Sequence, residues 1–565
     1  MILLNPHDHV RPYLDERSRQ IMLKTIAFFE NKGKVKLKRD DRERTWYADL
    51  IEFMKDEKIL YTLLTPAKYG EDGCRWDTWR NCEFSEILAF YGLHYWYTWQ
   101  VTALGLGPLW MSDNEAVKQK TAELLKQGHV FAFGLSEKEH GADVYASEMT
   151  LFPAGEGTWR ARGGKYYIGN ANVAALVSNF GRFAGGDEYV FFATDSQHEK
   201  FECLRNLVNV QSYVAEYALH DYPITEADIL SRGAEAWNVA LNTVNVGKFN
   251  LGWATIGICT HALYEAINHA ANRRLYNKFV TDFPHVRQLL MDAYTRLVAA
   301  KLFSLRASDY MRSASAMDRR YLLYNSMVKM KVTMQGEQVI DALWDVIAAR
   351  GFEKEVYFES AARDIRALPK LEGTAHVNMA LVVKFMANYL FNPGQFPEVP
   401  KRDDPADDEF LFRQGPTKGL GKIQFHDYNR IYDSFNLPNV NIFKKQVAAL
   451  KKLLMQAAPS PEQQKDVDFL LSLGEIFTLI PYGQLILENV RIYDVADDLV
   501  EQIFDFIVRD FAKYALQLYH KPSATPAQME LCLAMIAKPV VDRKRFERIW
   551  ENEVYALEGL YEMNP

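Results

Sequence analysis

The chain has 565 residues, of which 48% are hydrophobic and 25% charged, and its formal net charge is −7. This is the balance of a globular protein with a large core, and the length suggests two to four structural domains. The missing basic excess argues against nucleic acid as a partner, and the lack of an uncharged apolar run of about 18 residues argues against a membrane-spanning helix.

The opening stretch, MILLNPHDHVRPYLDERS, does not have the charged-then-apolar layout of a signal peptide, so a cytoplasmic location is expected. The five cysteines, Cys74, Cys82, Cys203, Cys259 and Cys532, are widely spaced, with no CxxC or Cys/His cluster. They are expected to be packing thiols, and no metal site is expected.

Residues 1–128 read as a helical domain; Asn114–Gly128, for example, has apolar residues at helical spacing and a glycine stop. Residues 129–238 change character. Phe131–Leu135, Trp159–Gly169, Glu188–Asp195 and Leu207–Val214 read as strands between glycine and polar turns, forming a β domain. The helical period returns over 239–392, with long helices expected over Ile256–Arg274 and Asp282–Tyr310, as in a helical bundle. Residues 393–409 are rich in Pro and Asp and read as an exposed linker. Residues 410–565 form a helical extension, in which Leu499, Ile503, Phe506, Ile507, Phe511, Tyr514 and Leu518 make an apolar stripe suited to a core.

Five segments carry chemistry. Phe133–Val144, FGLSEKEHGADV, resembles F-A-L-T-E-P-x-A-G-S-D, with Lys138 for the proline and Ala142 for the serine. Gly164–Ala171, GKYYIGNA, resembles G-x-K-x-W-I-T-N, with Tyr167 for the tryptophan and Gly169 for the threonine. Leu219–Leu230 and Asn245–Gly252 resemble a strand and a following helix; Lys248 stands where an arginine is usual, and Gly247 where some relatives have a glutamate. Arg273–Leu290 resembles R-K-x-F-G-K-x-x-x-x-F-Q-x-V, with Asn277 for glycine and Pro284 for glutamine. Asp345–Val377 is the most specific. Gly351, Phe352, Glu355, Arg363, Asp364, Glu372, Gly373 and Thr374 fall without a gap on Q-x-x-G-G-x-G-Y-x-x-E-x-x-x-x-x-x-x-R-D-A-x-x-x-x-I-x-E-G-T, although Asp345, Ala348 and Ala349 replace its first part.

Over about residues 20–390 these segments resemble the acyl-CoA dehydrogenase family. The resemblance implies an α+β fold, mostly α: an N-terminal helical domain, a middle β-barrel-like domain, a C-terminal four-helix bundle, and here an additional helical region. It implies FAD as cofactor, held by Ser136, Gly141, Tyr167, Ile168, Gly169, Arg273 and Thr374. Ser136 would bond the flavin pyrimidine edge, Tyr167 would cover a flavin face, and Arg273 would pair with the pyrophosphate across a subunit interface. In the family the threonine at position 169 bonds flavin N5 through its hydroxyl, which glycine lacks. Ala142, Lys248 and Gly373 fall at substrate-binding positions, and Glu372 at the catalytic base.

The implied reaction is α,β-dehydrogenation of a fatty acyl-CoA to a trans-2-enoyl-CoA, in fatty acid β-oxidation or related metabolism. The extension resembles that of long-chain members in position and helicity. An electron-transferring flavoprotein is the implied electron acceptor and a homo-oligomer, dimer or tetramer, the implied assembly. A peripheral membrane contact through the extension is a further expectation. Two alternatives stay open: an acyl-CoA oxidase using O2, and a catalytically silent binding or assembly paralogue.

Overall fold

The computed structural model describes residues 2–9, 15–401 and 404–565. They fall into two compact units. The first holds residues 15–250, 404–418 and 563–565; the second holds 2–9, 251–401 and 419–562.

In the first unit, polar caps start the helices. The Asp15 carboxylate accepts from Ser18 N at 2.7 Å at the head of Glu16–Glu43, and Asp77 accepts from Trp79 N at 3.1 Å at the head of Thr78–Tyr91. Asn114 accepts from Val117 N at 3.2 Å at the head of Glu115–Lys126. Each supplies an acceptor to a backbone N–H that has no partner within its own helix. The Thr78–Tyr91 and Leu93–Met111 helices are buried almost all round, which is why neither shows a clean amphipathic stripe.

Eight strands form the sheet: β1 Phe131–Gly134, β2 Thr150–Gly155, β3 Thr158–Gly169, β4 Leu176–Phe183, β5 Tyr189–Thr194, β6 Phe201–Asn206, β7 Val214–Thr225 and β8 Ile229–Arg232. Their order is β6-β7-β3-β2-β4-β5-β8, with β1 pairing β4 in parallel. Met149, Leu151, Ala161, Val177, Phe192 and Tyr217 lie in its core. The strand expected over Leu207–Val214 is a loop; the strands lie on either side of it. The Asn206 side chain accepts from Val208 N at 3.3 Å and from Val214 N at 3.0 Å, and this local closure replaces the ladder. A helix runs from Gly233 to Asn272, so helix begins within the segment read as β domain.

The described residues of 393–409 are irregular or single-turn, but the acidic end is not a loose linker. In the first unit Asp408, 7% exposed, accepts from Thr78 N at 2.6 Å, and Asp407 accepts from Ala67 N at 3.1 Å and Trp76 N at 3.2 Å. Composition reads such aspartates as solvated; here they serve as acceptors for backbone N–H groups.

The second unit packs the Pro284–Arg312 and Thr333–Ile347 helices with Val467–Ile492 and Asp497–Tyr519 of the extension. All seven stripe residues of Asp497–Tyr519 are buried. Val467–Ile492 is long and apolar enough to cross a membrane by length and composition, yet 83% of its apolar 18-residue window is buried inside the protein. Two charged residues on it make contacts: Glu488 accepts from Arg306 Nε at 2.7 Å, and Glu475 lies 3.7 Å from Lys331.

Candidate functional site

Glu372 sits in a short loop at the head of the Ala375–Val382 helix. Glu372 and Gly373 both adopt left-handed backbone, with φ 54° and 82°. Glycine takes that conformation freely; glutamate does not, so the surrounding structure has to hold it there. The Lys329 ammonium donates to Pro369 O at 2.7 Å and to Gly373 O at 2.6 Å, spanning the loop. Asn378 Nδ2 also donates to Gly373 O, at 3.1 Å. Lys329 is fully buried and lies on a π-helical turn, Val328–Val332. Thr374 caps the next helix by accepting from Val377 N at 3.3 Å. The Gly373 carbonyl is therefore occupied, which leaves its N–H as the group that could meet a ligand.

In the first unit, a second group of predicted residues lines the ends of β1 and β3. Ser136 is half-buried, and its carbonyl accepts from Tyr166 N at 3.0 Å. Glu137 closes the loop that follows. Its Oε1 accepts from Lys165 Nζ at 2.7 Å, Ser147 Oγ at 2.7 Å and Met149 N at 3.1 Å, and its Oε2 from Glu148 N at 2.7 Å. Burial opposes the Glu137 charge, but Lys165 and these donors outweigh it and hold the carboxyl below its ordinary range. With the loop base fixed, Gly141 and Ala142 stand exposed at its tip; Gly141 has φ 49° and no atom within 4 Å of where a Cβ would be. The β3–β7 ladder passes from Tyr166 to Ile168, leaving Tyr167 as a bulge at φ 64°, with the residue 61% exposed. A bulge re-aims a side chain out of the sheet. Ile168 is buried in the sheet core, so only its backbone can meet a ligand. Lys248 is buried on the Gly233–Asn272 helix, and the neighbouring Gly247 O accepts from Gln100 Nε2 at 3.1 Å.

Glu137, His140 and Glu148 have ligand atoms within 4.8 Å of one another, a grouping the sequence reading did not anticipate. Both Glu137 oxygens already accept hydrogen bonds, and His140 lies 3.3 Å from Glu148 as an ion-pair partner.

Comparison with known proteins fits these landmarks. Residues 235–387 match the family model described as "Acyl-CoA dehydrogenase, C-terminal domain", which spans the Glu372 loop. Over that segment the chain is similar to the acyl-CoA dehydrogenase family. An acyl-CoA dehydrogenase of Bacillus subtilis (strain 168) is 23% identical over 295 residues, 50% of this chain and 76% of the relative. The caffeyl-CoA reductase-Etf complex subunit CarC of Acetobacterium woodii is 22% identical over 373 residues, 62% of this chain and 97% of that subunit. A crystal structure of an acyl-CoA dehydrogenase from Bacillus anthracis, complexed with FAD, superposes with a TM-score of 0.75 at 17% identity. It covers 98% of this chain and 97% of that one, so its fold includes the extension.

The residues assigned to a flavin dinucleotide by resemblance suit one in three respects. Tyr167 presents an exposed ring for stacking, and the Gly141 tip leaves backbone open. Arg273 is exposed, and it and Arg350, whose Nη1 is 3.2 Å from His269 Nδ1, both bear on the His269 imidazole. Burial, then Arg350 and Arg273, pushes the His269 imidazole down to about 4. Such a cationic pair suits a pyrophosphate. Gly169 differs from the family pattern, since no hydroxyl is available at that position. Two site-forming residues were not recognised in the sequence: Lys329 and Lys165. A lysine among apolar neighbours, as in the run MVKMKV, is the signal that was available for the first.

Proposed function

We propose that this chain is an FAD-dependent oxidoreductase acting on the Cα–Cβ bond of an acyl-CoA thioester, with Glu372 as the base at the α-carbon. The observation that carries this reading is the Glu372 loop, held in left-handed backbone by a buried lysine, in register with the family's catalytic loop.

The α-proton of a thioester is too weakly acidic for a free carboxylate in water to remove it at a useful rate. A base fixed against the α-carbon lowers the barrier by orientation and avoids the entropy loss of an encounter. Lys329 and Asn378 fix the loop carbonyls, which sets where the Glu372 backbone and carboxylate stand. The N–H of the base residue is a donor for the thioester oxygen, where negative charge develops as the proton leaves. The Glu372 carboxylate takes the α-proton and becomes a carboxylic acid. Bound FAD supplies the acceptor for the hydride that leaves the β-carbon. Ser136, the Gly141 tip and the Tyr167 ring would hold the flavin end, and Arg273 would pair with a pyrophosphate, as the resemblance implies.

The substrate is a fatty acyl-CoA; the helical extension supports a long chain over a short one. Electron-transferring flavoprotein is the acceptor, a reading supported by the Etf-complex membership in the name of CarC. That name also supports a second reading, the reverse reaction. In that direction protonated Glu372 would return the proton to the α-carbon of an enoyl-CoA. The exposed Arg273 supports a homo-oligomer, since a partner's cofactor would meet it. A reducing compartment such as the cytoplasm suits five unbridged cysteines.

Anaerobic mixing of FAD-loaded protein with acyl-CoAs of graded length tests this reading. Bleaching of the flavin absorbance, fastest with long chains, is expected. A flavin that every saturated acyl-CoA leaves oxidised, but that reduced Etf and an enoyl-CoA turn over, would favour the reverse direction. Failure to take up FAD would contradict both.

A further inference from the structure

Gly169 ends β3 in a buried position, and the space its side chain would need is already filled. A Cβ there would lie 2.7 Å from Tyr97 Cε1, 2.9 Å from Tyr97 Oη and 2.9 Å from Val101 Cγ1. Real Cβ atoms essentially never approach so closely, so any residue but glycine would displace the Leu93–Met111 helix or the Tyr97 ring. The hydroxyl end of Tyr97 therefore occupies the volume in which a side chain of residue 169 would carry its own polar atom.

This juxtaposition is fixed by the residue next door. Asn170 is fully buried at φ 63°. Its Oδ1 accepts from Thr98 Oγ1 at 3.0 Å, and its Nδ2 donates to Thr98 O at 3.0 Å, Thr102 Oγ1 at 3.1 Å and Phe131 O at 3.3 Å. Thr98 and Thr102 are four apart on one helix face; Tyr97 and Val101 are the adjacent pair four apart. The same helix face that bonds Asn170 thus sets Tyr97 and Val101 against Gly169. Tyr97 is only half-buried, so its hydroxyl is not sealed into the core.

We propose that Tyr97 is the residue that supplies the hydroxyl position 169 lacks, donating its phenol hydrogen to the N5 edge of the flavin. This inference rests on the FAD reading given under Proposed function. The donor reaches the edge from a helix instead of from the strand end. A phenol is a far stronger acid than an aliphatic alcohol, with an ordinary pKa of about 10, and so is a stronger donor. The ring also fills the pocket wall beside the strand end, which glycine at 169 makes room for. Tyr97 and Gly169 are then one unit, since a threonine at 169 would meet the Tyr97 ring.

The test uses full-length FAD-loaded protein, with sulfite, which adds to flavin N5, as the probe. Tyr97→Phe keeps the ring and loses only the hydroxyl. FAD should still bind, and the melting temperature should hold. The sulfite Kd should rise about tenfold, the worth of one hydrogen bond, and the flavin spectrum should shift. Gly169→Thr alone should weaken FAD binding, because the threonine meets the Tyr97 ring. Tyr97→Ala and Val101→Ala together with Gly169→Thr, which clear both side chains the threonine would meet, should recover the sulfite affinity. A Tyr97→Phe protein that is FAD-replete, with unchanged sulfite Kd and spectrum, overturns the role of Tyr97 and leaves the proposed function standing. Wild-type protein that takes up no FAD overturns both.

Discussion

Lys329 is a charged group placed where no water reaches it, and the two carbonyls it bonds flank Glu372. Hydrogen bonds to a charged group contribute about 1.5–3 kcal/mol each, and an acceptor stripped of its donor inside the protein costs about 1–3 kcal/mol. Lys329→Met should therefore loosen the loop without touching a substrate atom. A base misplaced by about 1 Å loses on the order of 10²-fold in rate. The expected outcome is a fall of that size in kcat for flavin reduction, with KM and FAD content near normal and partial recovery in Lys329→Arg. Stopped-flow reduction measures it; an unchanged kcat would show that the loop holds itself. Arg273 yields a second expectation at this scale. His269 is held down to about 4 by burial, then by Arg350 and Arg273. Removing one positive charge makes the imidazolium easier to form, so Arg273→Ala should raise the His269 pKa part of the way toward 6.5, and weaken FAD binding. NMR titration of the His269 ring reads the first effect, and an unmoved titration would separate Arg273 from this cluster.

At the level of elements, the extension is tied to the bundle by buried charge as well as by its apolar stripe. Arg296 grips Asp510 with two hydrogen bonds, 2.7 and 2.9 Å, and Gln335 Oε1 accepts from Arg296 Nη1 at 2.8 Å. Lys331, on the same π-turn as Lys329, lies 3.7 Å from Glu475 of the Val467–Ile492 helix. Removing one partner of such a pair leaves a buried charge and costs about 3–5 kcal/mol. Asp510→Ala should lose that much in denaturant melts, while Arg296→Met with Asp510→Leu should lose far less. Burial would raise the Asp510 pKa, but Arg296 outweighs it and holds the carboxyl below 3.8. A depressed carboxyl stabilises above its unfolded pKa, so this contribution is present at neutral pH and lost only as pH falls through the lower folded value. An Asp510→Ala melt identical to wild type at pH 7 would refute it. The stripe was legible because seven apolar residues recur at helical spacing. The pairing of Arg296 with Asp510 was not, since each reads as a solvated charge until the fold brings them together. The loop at Leu207–Val214 shows the opposite failure: alternating apolar residues imitate a strand, and a single asparagine, Asn206, closes a loop instead.

Across the whole molecule, the order helix, sheet, helix was legible from the change in hydrophobic period, and the Glu372 loop from eight residues in fixed register. Motifs contiguous in sequence survive into the structure as local geometry: the left-handed Glu372–Gly373 pair, the Tyr167 bulge and the Gly141 tip. What joins distant segments was not legible. Lys329 reaches a loop some forty residues on, Tyr97 fills space beside Gly169, and Gly33, at φ 73°, leaves room for the Pro565 carbonyl, which a Cβ would meet at 2.2 Å. Of these, the Lys329 contacts hold the Glu372 loop. Glu372→Gln keeps the size of that side chain and most of its hydrogen bonding but cannot accept the proton. The direct measurement is the anaerobic rate of flavin reduction by a long-chain acyl-CoA in wild type and Glu372→Gln, both FAD-replete and both shown to bind the thioester. The account predicts a loss greater than the ~10²–10⁴-fold typical of a general base, because hydride transfer has no productive path while the α-proton stays. Near-normal reduction in Glu372→Gln would contradict it.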